Sequence, residues 1–298
     1  MFKSGFISIV GRPNVGKSTL LNQILKTKIA IMSDKAQTTR NTLQGIYTDD
    51  EAQMIFIDTP GIHKPKDLLG SFMNTTAINS AYGVDIVLFM APVNETIGKG
   101  DRYILSRLKE QEAPVFLVLN KIDMVSKEAL IKQLDLWNQE FDFAEIIPIS
   151  SLKDNNIDVL LNVIKNYLKE GQAYYDSDSI TNHPERFIVS EFIREKVLHF
   201  THEEIPHSIA IVIEKMDGND KNVEILATIV VNRKSQKGML IGKQGAMIKK
   251  IRLAAQKEIK KLLGLEKVYL ELYVRVEKDW RSKQRYLKQF GYDEDDYS

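Results

Sequence analysis

Six short polar segments carry the side chains able to do chemistry in this 298-residue chain. The first, Gly11-Arg-Pro-Asn14-Val15-Gly16-Lys17-Ser18-Thr19, joins an apolar run at Phe6–Val10 to a helical pattern. Glycines at those two places let successive backbone N–H groups turn toward phosphate oxygens, and the helix start behind them adds partial positive charge. Lys17 can then reach the β- and γ-phosphates of a nucleotide, and Ser18 can offer its hydroxyl oxygen to Mg²⁺. Asp58-Thr-Pro-Gly61 ends a second apolar run, Met54–Ile57. A carboxylate there can bind Mg²⁺ through water, and the Gly61 N–H can meet the γ-phosphate. Between the two lies Gln37-Thr38-Thr39-Arg40, a polar segment able to fold over the nucleotide, one of its threonines ligating Mg²⁺ when a γ-phosphate is present.

Asn120-Lys121-Ile-Asp123 follows the run Val115–Leu119. The Asp123 carboxylate can accept from N1–H and the exocyclic amine of guanine. Adenine offers neither donor there and would leave the acid unpaired, a mismatch worth about 10⁴-fold or more in selectivity. Ser150-Ser151-Leu152, after Glu145–Ile149, can supply a backbone N–H to guanine O6. A turn and a helix cap would explain any one of these motifs alone. Four in order, each after a strand-like run, read together as a guanine-nucleotide site.

The sixth segment, Ile241-Gly242-Lys243-Gln244-Gly245, precedes a helical pattern carrying Lys249, Lys250 and Arg252. A G-x-x-G loop clamps about four nucleotides of single-stranded backbone in RNA-binding KH domains. As four letters it is weak, since a helix-start turn explains most instances. The surrounding charge adds weight: the net +1 of the chain divides into −3 over residues 1–181 and +4 over 182–298, and residues 232–261 hold ten basic side chains against one acid, Glu258. Such a patch suits nucleic acid, although a charge run is also the ordinary face of a solvated helix.

To about residue 169, apolar runs, Asp85–Met90 among them, alternate with helical patterns, the signature of a mostly parallel sheet covered by helices. In such sheets ligands gather at the carboxyl ends of strands, where these motifs fall. The polar, turn-rich stretch 171–184 reads as a linker. Beyond it come a helix presenting Phe192, Ile193, Val197 and Phe200 on one face, strands at Ile209–Ile213 and Glu224–Val231, the glycine loop, a long helix with Ile248, Ile251, Ala255, Ile259 and Leu262 in phase, and a strand at Val268–Val276. The expected fold class is therefore α/β, a P-loop nucleotide-binding domain over 1–170, followed by an α+β domain over 185–280 and a tail over 281–298. Apolar residues at 43% and charged residues at 27% fit a soluble globular protein. The absence of cysteine excludes disulfides and thiolate zinc sites, and with no apolar run long enough to span a membrane the expectation is a cytoplasmic protein. His199 and His202 are three apart on one helix but lack a third ligand, Trp137 and Trp280 read as packing residues, and Tyr174 and Tyr175 are open between a hinge contact and no role.

The nucleotide motifs resemble those of the translation-factor-related GTPases, and Gly-Arg-Pro-Asn-Val-Gly-Lys-Ser with Gln-Thr-Thr-Arg-Asn resembles the Era-like branch. That resemblance implies GTP hydrolysis with GTP/GDP and Mg²⁺ as ligands, Lys17, Thr39 and Gly61 at the reacting phosphate, Ser18, Thr39 and Asp58 around the metal, and switches at Thr38/Thr39 and Asp58–Lys66. It also suggests Asn14 as a ligand for K⁺ beside the phosphates; a role limited to shaping the loop is equally open. Two departures stand out. Ile62 occupies the place where Ras-like enzymes carry a water-orienting glutamine, which implies slow or assisted hydrolysis. The usual Ser-Ala followed by glycine is replaced by Ser150-Ser151 leading to Asn155-Asn156. The element order α-β-β-α-α-β of the second domain resembles type II KH domains, and its pairing with such a GTPase resembles the Era family over nearly the whole chain. Membership implies a monomer that binds small-subunit ribosomal RNA near its 3′ end, acts in 30S subunit assembly, and associates peripherally with the membrane. The alternative is a regulatory GTPase whose basic domain binds a protein or a membrane surface.

Overall fold

The computed structural model describes residues 1–33, 35, 38–62, 64–201, 205 and 208–292. Gln37, His202 and the acidic run Asp293–Asp296 lie outside the described residues. The chain divides into two compact units, one formed by residues 1–30, 39–65 and 73–182, the other by 31–38, 66–72 and 183–298.

In the first unit the apolar runs become β1 (Lys3–Gly11), β3 (Ala52–Asp58), β4 (Ile86–Pro92), β5 (Val115–Asn120) and β6 (Glu145–Pro148), joined by β2 (Leu43–Thr48). They form one six-stranded sheet in the order β2-β3-β1-β4-β5-β6, parallel throughout except for β2 against β3. Helices α1 (Lys17–Leu25), α2 (Leu68–Asn79), α3 (Lys99–Leu108), α4 (Lys127–Glu140) and α5 (Ile157–Tyr167) alternate with the strands. Strands covered on both faces bury both side-chain sets, which is why they read as continuous apolar runs. Ile7, Ile9, Met54, Phe56, Phe89, Leu117 and Leu119 are all buried, and Trp137 packs edge-on to Phe89 at 5.6 Å between ring centres.

The stretch expected as a linker belongs to this unit through residue 182. It runs as a strap along the edge of β2, where the Ile46 N–H donates to the Ile180 carbonyl at 3.0 Å and the Thr181 hydroxyl donates to the Gln44 carbonyl at 2.6 Å. Gln53, fully buried, accepts from the Tyr174 and Tyr175 N–H groups at 2.7 and 3.0 Å and donates to the Tyr175 carbonyl at 2.9 Å. Tyr174 also sets its ring edge-on to Phe6. The strap satisfies backbone groups that an edge strand would otherwise leave open.

The second unit follows the order α6 (Glu185–Phe200), β7 (Ile209–Gly218), β8 (Asn222–Val231), α7 (Lys234–Ile241), α8 (Ala246–Leu263), β9 (Lys267–Val276). Its sheet runs β7-β8-β9, antiparallel then parallel. Val197, Ile209, Ile229, Val231, Leu240, Ile251 and Val274 form the core beneath the helices. A short α9 (Gln284–Gln289) follows, with Leu287, Phe290 and Tyr292 buried around Trp280, whose indole N–H donates to the Ser208 carbonyl at 3.0 Å. Residues 281–292 are thus folded where the sequence suggests a tail. In the same unit the Met32 N–H donates to Glu195 at 2.9 Å, and Arg194, buried and paired with Glu191, donates to the Thr38 carbonyl.

Candidate functional site

Four loops in the first unit leave the carboxyl ends of β1, β3, β5 and the strand end beyond β6, and side chains tie them together. Gly16 has φ 108°, and a Cβ on it would fall 2.2 Å from Asn120 Nδ2. Only glycine admits both the turn and that approach. Asn120 uses the proximity: its amide donates to the Val15 carbonyl at 2.8 Å, while its Oδ1 accepts from the Ser151 N–H at 2.9 Å and the Ser151 hydroxyl at 3.1 Å. The Ser150 hydroxyl donates to Asp123 Oδ1 at 2.5 Å, aiming a carboxylate that is otherwise exposed. Lys121 takes a left-handed turn at φ 68° between Asn120 and the short 3₁₀ turn bearing Asp123. Asn155 preserves the return of the Ser150 loop through paired backbone hydrogen bonds to Ser150, both 3.1 Å, so the turn survives without a glycine. Leu152 projects outward at 75% exposure.

Beneath the phosphate loop lies an oxygen cluster. The Ser18 hydroxyl donates to Asp58 Oδ2 at 2.6 Å and lies 2.9 Å from the Thr39 hydroxyl, which is itself 3.5 Å from Asp58. Asp58 is fully buried, and its Oδ1 has no hydrogen-bond partner among the described residues. A buried carboxylate oxygen left over beside two hydroxyls is the hard, small donor set that suits Mg²⁺. Burial pushes the Asp58 carboxyl upward, against the opposing pull of Lys17, Ser18 and Thr39. Lys17 is also buried, which lowers its ammonium to about 8 although Asp58 raises it; its Nζ donates to the Gly11 and Arg12 carbonyls at 3.2 and 3.1 Å. Of the two threonines, only Thr39 joins this cluster. The Thr38 hydroxyl donates to the Lys35 carbonyl at 2.6 Å, so its side chain turns into its own loop and does not join the nucleotide site.

Gly61 packs so close to Pro13 that a Cβ would lie 2.7 Å from the Pro13 backbone, and the Ile62 N–H donates to the Gly11 carbonyl at 3.3 Å. The Ile62 side chain is buried with Val10, Phe89 and Leu105. Asn14 is exposed at φ 63° on the outer corner of the loop, Val15 is buried, and Thr19 is half-buried on α1. One participant carries no motif in the sequence reading: Arg12, whose guanidinium reaches Asp101 and Glu95 from within the phosphate loop. A charged side chain at a position where any residue serves was the only available signal.

In the second unit the glycine loop lies between α7 and α8, so a helix, not a strand, directly precedes it. Gly242 has φ 70° and would clash with Met247 if it carried a Cβ (2.8 Å), while Gly245, φ 78°, opens α8 with nothing within 4 Å of its vacant Cβ direction. Lys243, Gln244 and Lys249 are exposed, Ile241 and Arg252 half-buried. Lys250 is exposed but its ammonium lies 4.3 Å from the centre of the Phe200 ring, an intramolecular cation–π contact that competes with an outside phosphate. His199 packs edge-on to Phe200, and no group of three or more His, Cys, Asp or Glu side chains able to hold a metal ion occurs among the described residues.

A phosphate loop, a magnesium-type oxygen cluster and an oriented guanine-reading carboxylate on a mostly parallel sheet define a P-loop GTPase, here carrying a KH-type module. Residues 6–121 match the family described as 50S ribosome-binding GTPase, and residues 204–281 match the KH domain family. A variant of Aquifex aeolicus Era bound to GDP and AlF₄⁻ is 41% identical, with 98% of this chain and 99% of that one covered at a TM-score of 0.94. Era in complex with MgGDPNP and nucleotides 1506–1542 of 16S ribosomal RNA is 40% identical over the same shares, at a TM-score of 0.95. The chain belongs to the Era family. It is a GTPase whose ligands are GTP, GDP and Mg²⁺.

Proposed function

We propose that the chain couples GTP hydrolysis in its first unit to binding of small-subunit ribosomal RNA, near the RNA's 3′ end, by its second, and that it acts in assembly of the small ribosomal subunit. The solved Era complex with 16S nucleotides 1506–1542 supports this reading, because the similarity includes the KH domain. The family matched over 6–121 is described by the large subunit, but that match stops short of the RNA-binding unit. The observation that carries the proposal is the loop Gly242-Lys243-Gln244-Gly245, whose two positive-φ glycines expose Lys243 and Gln244 at the start of a basic helix. Two acids there would repel a phosphate backbone and leave every residue of the nucleotide motifs unchanged. Lys243→Asp with Gln244→Asp is therefore expected to weaken binding of a 3′-terminal small-subunit RNA fragment by about 30-fold or more while GTP turnover stays within about twofold. Unchanged RNA affinity would overturn the KH assignment and favour a protein or membrane partner.

At the nucleotide, Gly11 to Thr19 cradle the phosphates, Lys17 neutralises the β and γ groups, and Asn120, Lys121, Asp123 and Ser150–Leu152 hold guanine. Ser18, Thr39 and Asp58 hold Mg²⁺, which draws charge from the phosphoryl oxygens when bound. The Gly61 N–H donates to the γ-phosphate. With Ile62 buried in the core, the attacking water is oriented by other groups and turnover is slow. Asn14 would hold a K⁺ ion beside the phosphates, and the charge such an ion supplies is of the kind an arginine finger brings. The protein works as a monomer in the cytoplasm with a peripheral association at the inner membrane face; no helix among the described residues is long and apolar enough to cross a membrane.

A further inference from the structure

Arg12 sits inside the phosphate loop, and its guanidinium is held by two acids, one of them in the first turn of α3. Its Nε donates to Asp101 Oδ1 at 2.7 Å and its Nη2 to Glu95 Oε2 at 2.9 Å, while its methylene chain crosses α3 at Gly100. Asp101 is fully buried and its other oxygen accepts from the Gly98 N–H at 2.8 Å, capping α3. The pair therefore fastens one arm of the loop to the first turn of a helix 89 residues away.

What that arm touches is specific. The Arg12 carbonyl accepts from Lys17 Nζ, the next residue, Pro13, abuts Gly61, and the preceding Gly11 carbonyl accepts from the Ile62 N–H. Gly16, Ser18 and Asn120, which serve the β-phosphate, the metal and the base, lie on the other arm or beyond it. We infer that Arg12 is a positioning residue for hydrolysis: clamped by Asp101 and Glu95, it fixes Pro13 as the stop against which Gly61 rests and so sets the wall on the γ-phosphate side of the site. This rests on the assignment of Gly61 to the γ-phosphate and of Lys17 to the β- and γ-phosphates. A loose arm would leave GDP its contacts while blurring the placement of the transferred group, and misplacement on the ångström scale can cost about 10²-fold in rate.

The test compares Arg12→Ala and Arg12→Lys with Arg102→Ala, which removes the neighbouring exposed bridge from α3 to Glu140. Single-turnover GTP hydrolysis, GDP affinity and melting temperature with GDP bound are measured on the full chain. Arg12→Ala is expected to slow hydrolysis by about tenfold or more with GDP affinity within about threefold. Arg12→Lys, keeping one of two donors, is expected to recover part of the rate, and Arg102→Ala to match the parent. A rate unchanged in Arg12→Ala would overturn the inference. So would parallel losses of rate, GDP affinity and melting temperature, which mean that Arg12 only supports the fold. Loss of GDP binding together with hydrolysis in the parent protein would instead count against the site assignment itself.

Discussion

Ile62 follows Gly61 at the position from which a glutamine could orient water, but its side chain is one of the apolar cluster under β4. Substituting glutamine there would bury an amide without supplying a reachable water. The burden shifts to groups on the open side of the phosphate loop, where Asn14 is the exposed candidate. If Asn14 holds K⁺ against the phosphates, turnover in KCl should exceed that in NaCl at equal ionic strength by about tenfold, and Asn14→Ala should erase the difference. Equal rates in the two salts would remove the cation from the mechanism. The motif residues were legible in the sequence because their spacing is fixed by the phosphates and the base they serve. The choice between Thr38 and Thr39 was not, because adjacent hydroxyls are equivalent until the backbone turns one into its own loop. Arg12 was invisible because Asp101, its partner, is distant in sequence and reached only through the fold.

The strands and loops matter here as carriers brought to one rim of the sheet. Asn120 at the end of β5 holds the phosphate loop on one side and the Ser150–Ser151 loop on the other, so phosphate and base sites are one rigid piece. Gly16→Ala would drive a methyl group into the Asn120 amide and impose a left-handed turn on alanine. Losing that buried hydrogen bond and the loop geometry is expected to weaken GDP binding by about 10–100-fold, measured by fluorescent-nucleotide titration, with the sheet still folded by circular dichroism. Affinity unchanged would mean that the two loops are positioned independently. Five strands of this sheet were readable as apolar runs because both faces are covered. The edge strand β2 was not, since Leu43-Gln-Gly-Ile-Tyr-Thr48 is half polar and glycine-bearing. Its covering strap was read as a linker because a buried glutamine and backbone hydrogen bonds leave no hydrophobic period. In the second unit the in-phase apolar residues of α6 and α8 located the helices, whereas the short α7, with Gly238 in its interior, was counted in the element order but had no apolar period to give it residues.

The division of the whole molecule falls inside the switch segment. Residues 31–38 group with the second unit and residue 39 onward with the first, so Thr38 and Thr39 answer to different partners. The Thr39 hydroxyl sits with Ser18 and Asp58, and the Thr38 carbonyl accepts from Arg194 of α6. The proposed coupling of nucleotide state to RNA binding is reciprocal, and such coupling typically amounts to about 1–3 kcal/mol, or roughly 5–150-fold in affinity. The direct measurement is the affinity of the full chain for a 3′-terminal fragment of small-subunit ribosomal RNA, with Mg²⁺ and either a non-hydrolysable GTP analogue or GDP, at one fixed salt concentration. Binding about tenfold tighter with the GTP analogue is the predicted result. Equal affinity in the two nucleotide states would contradict the coupling.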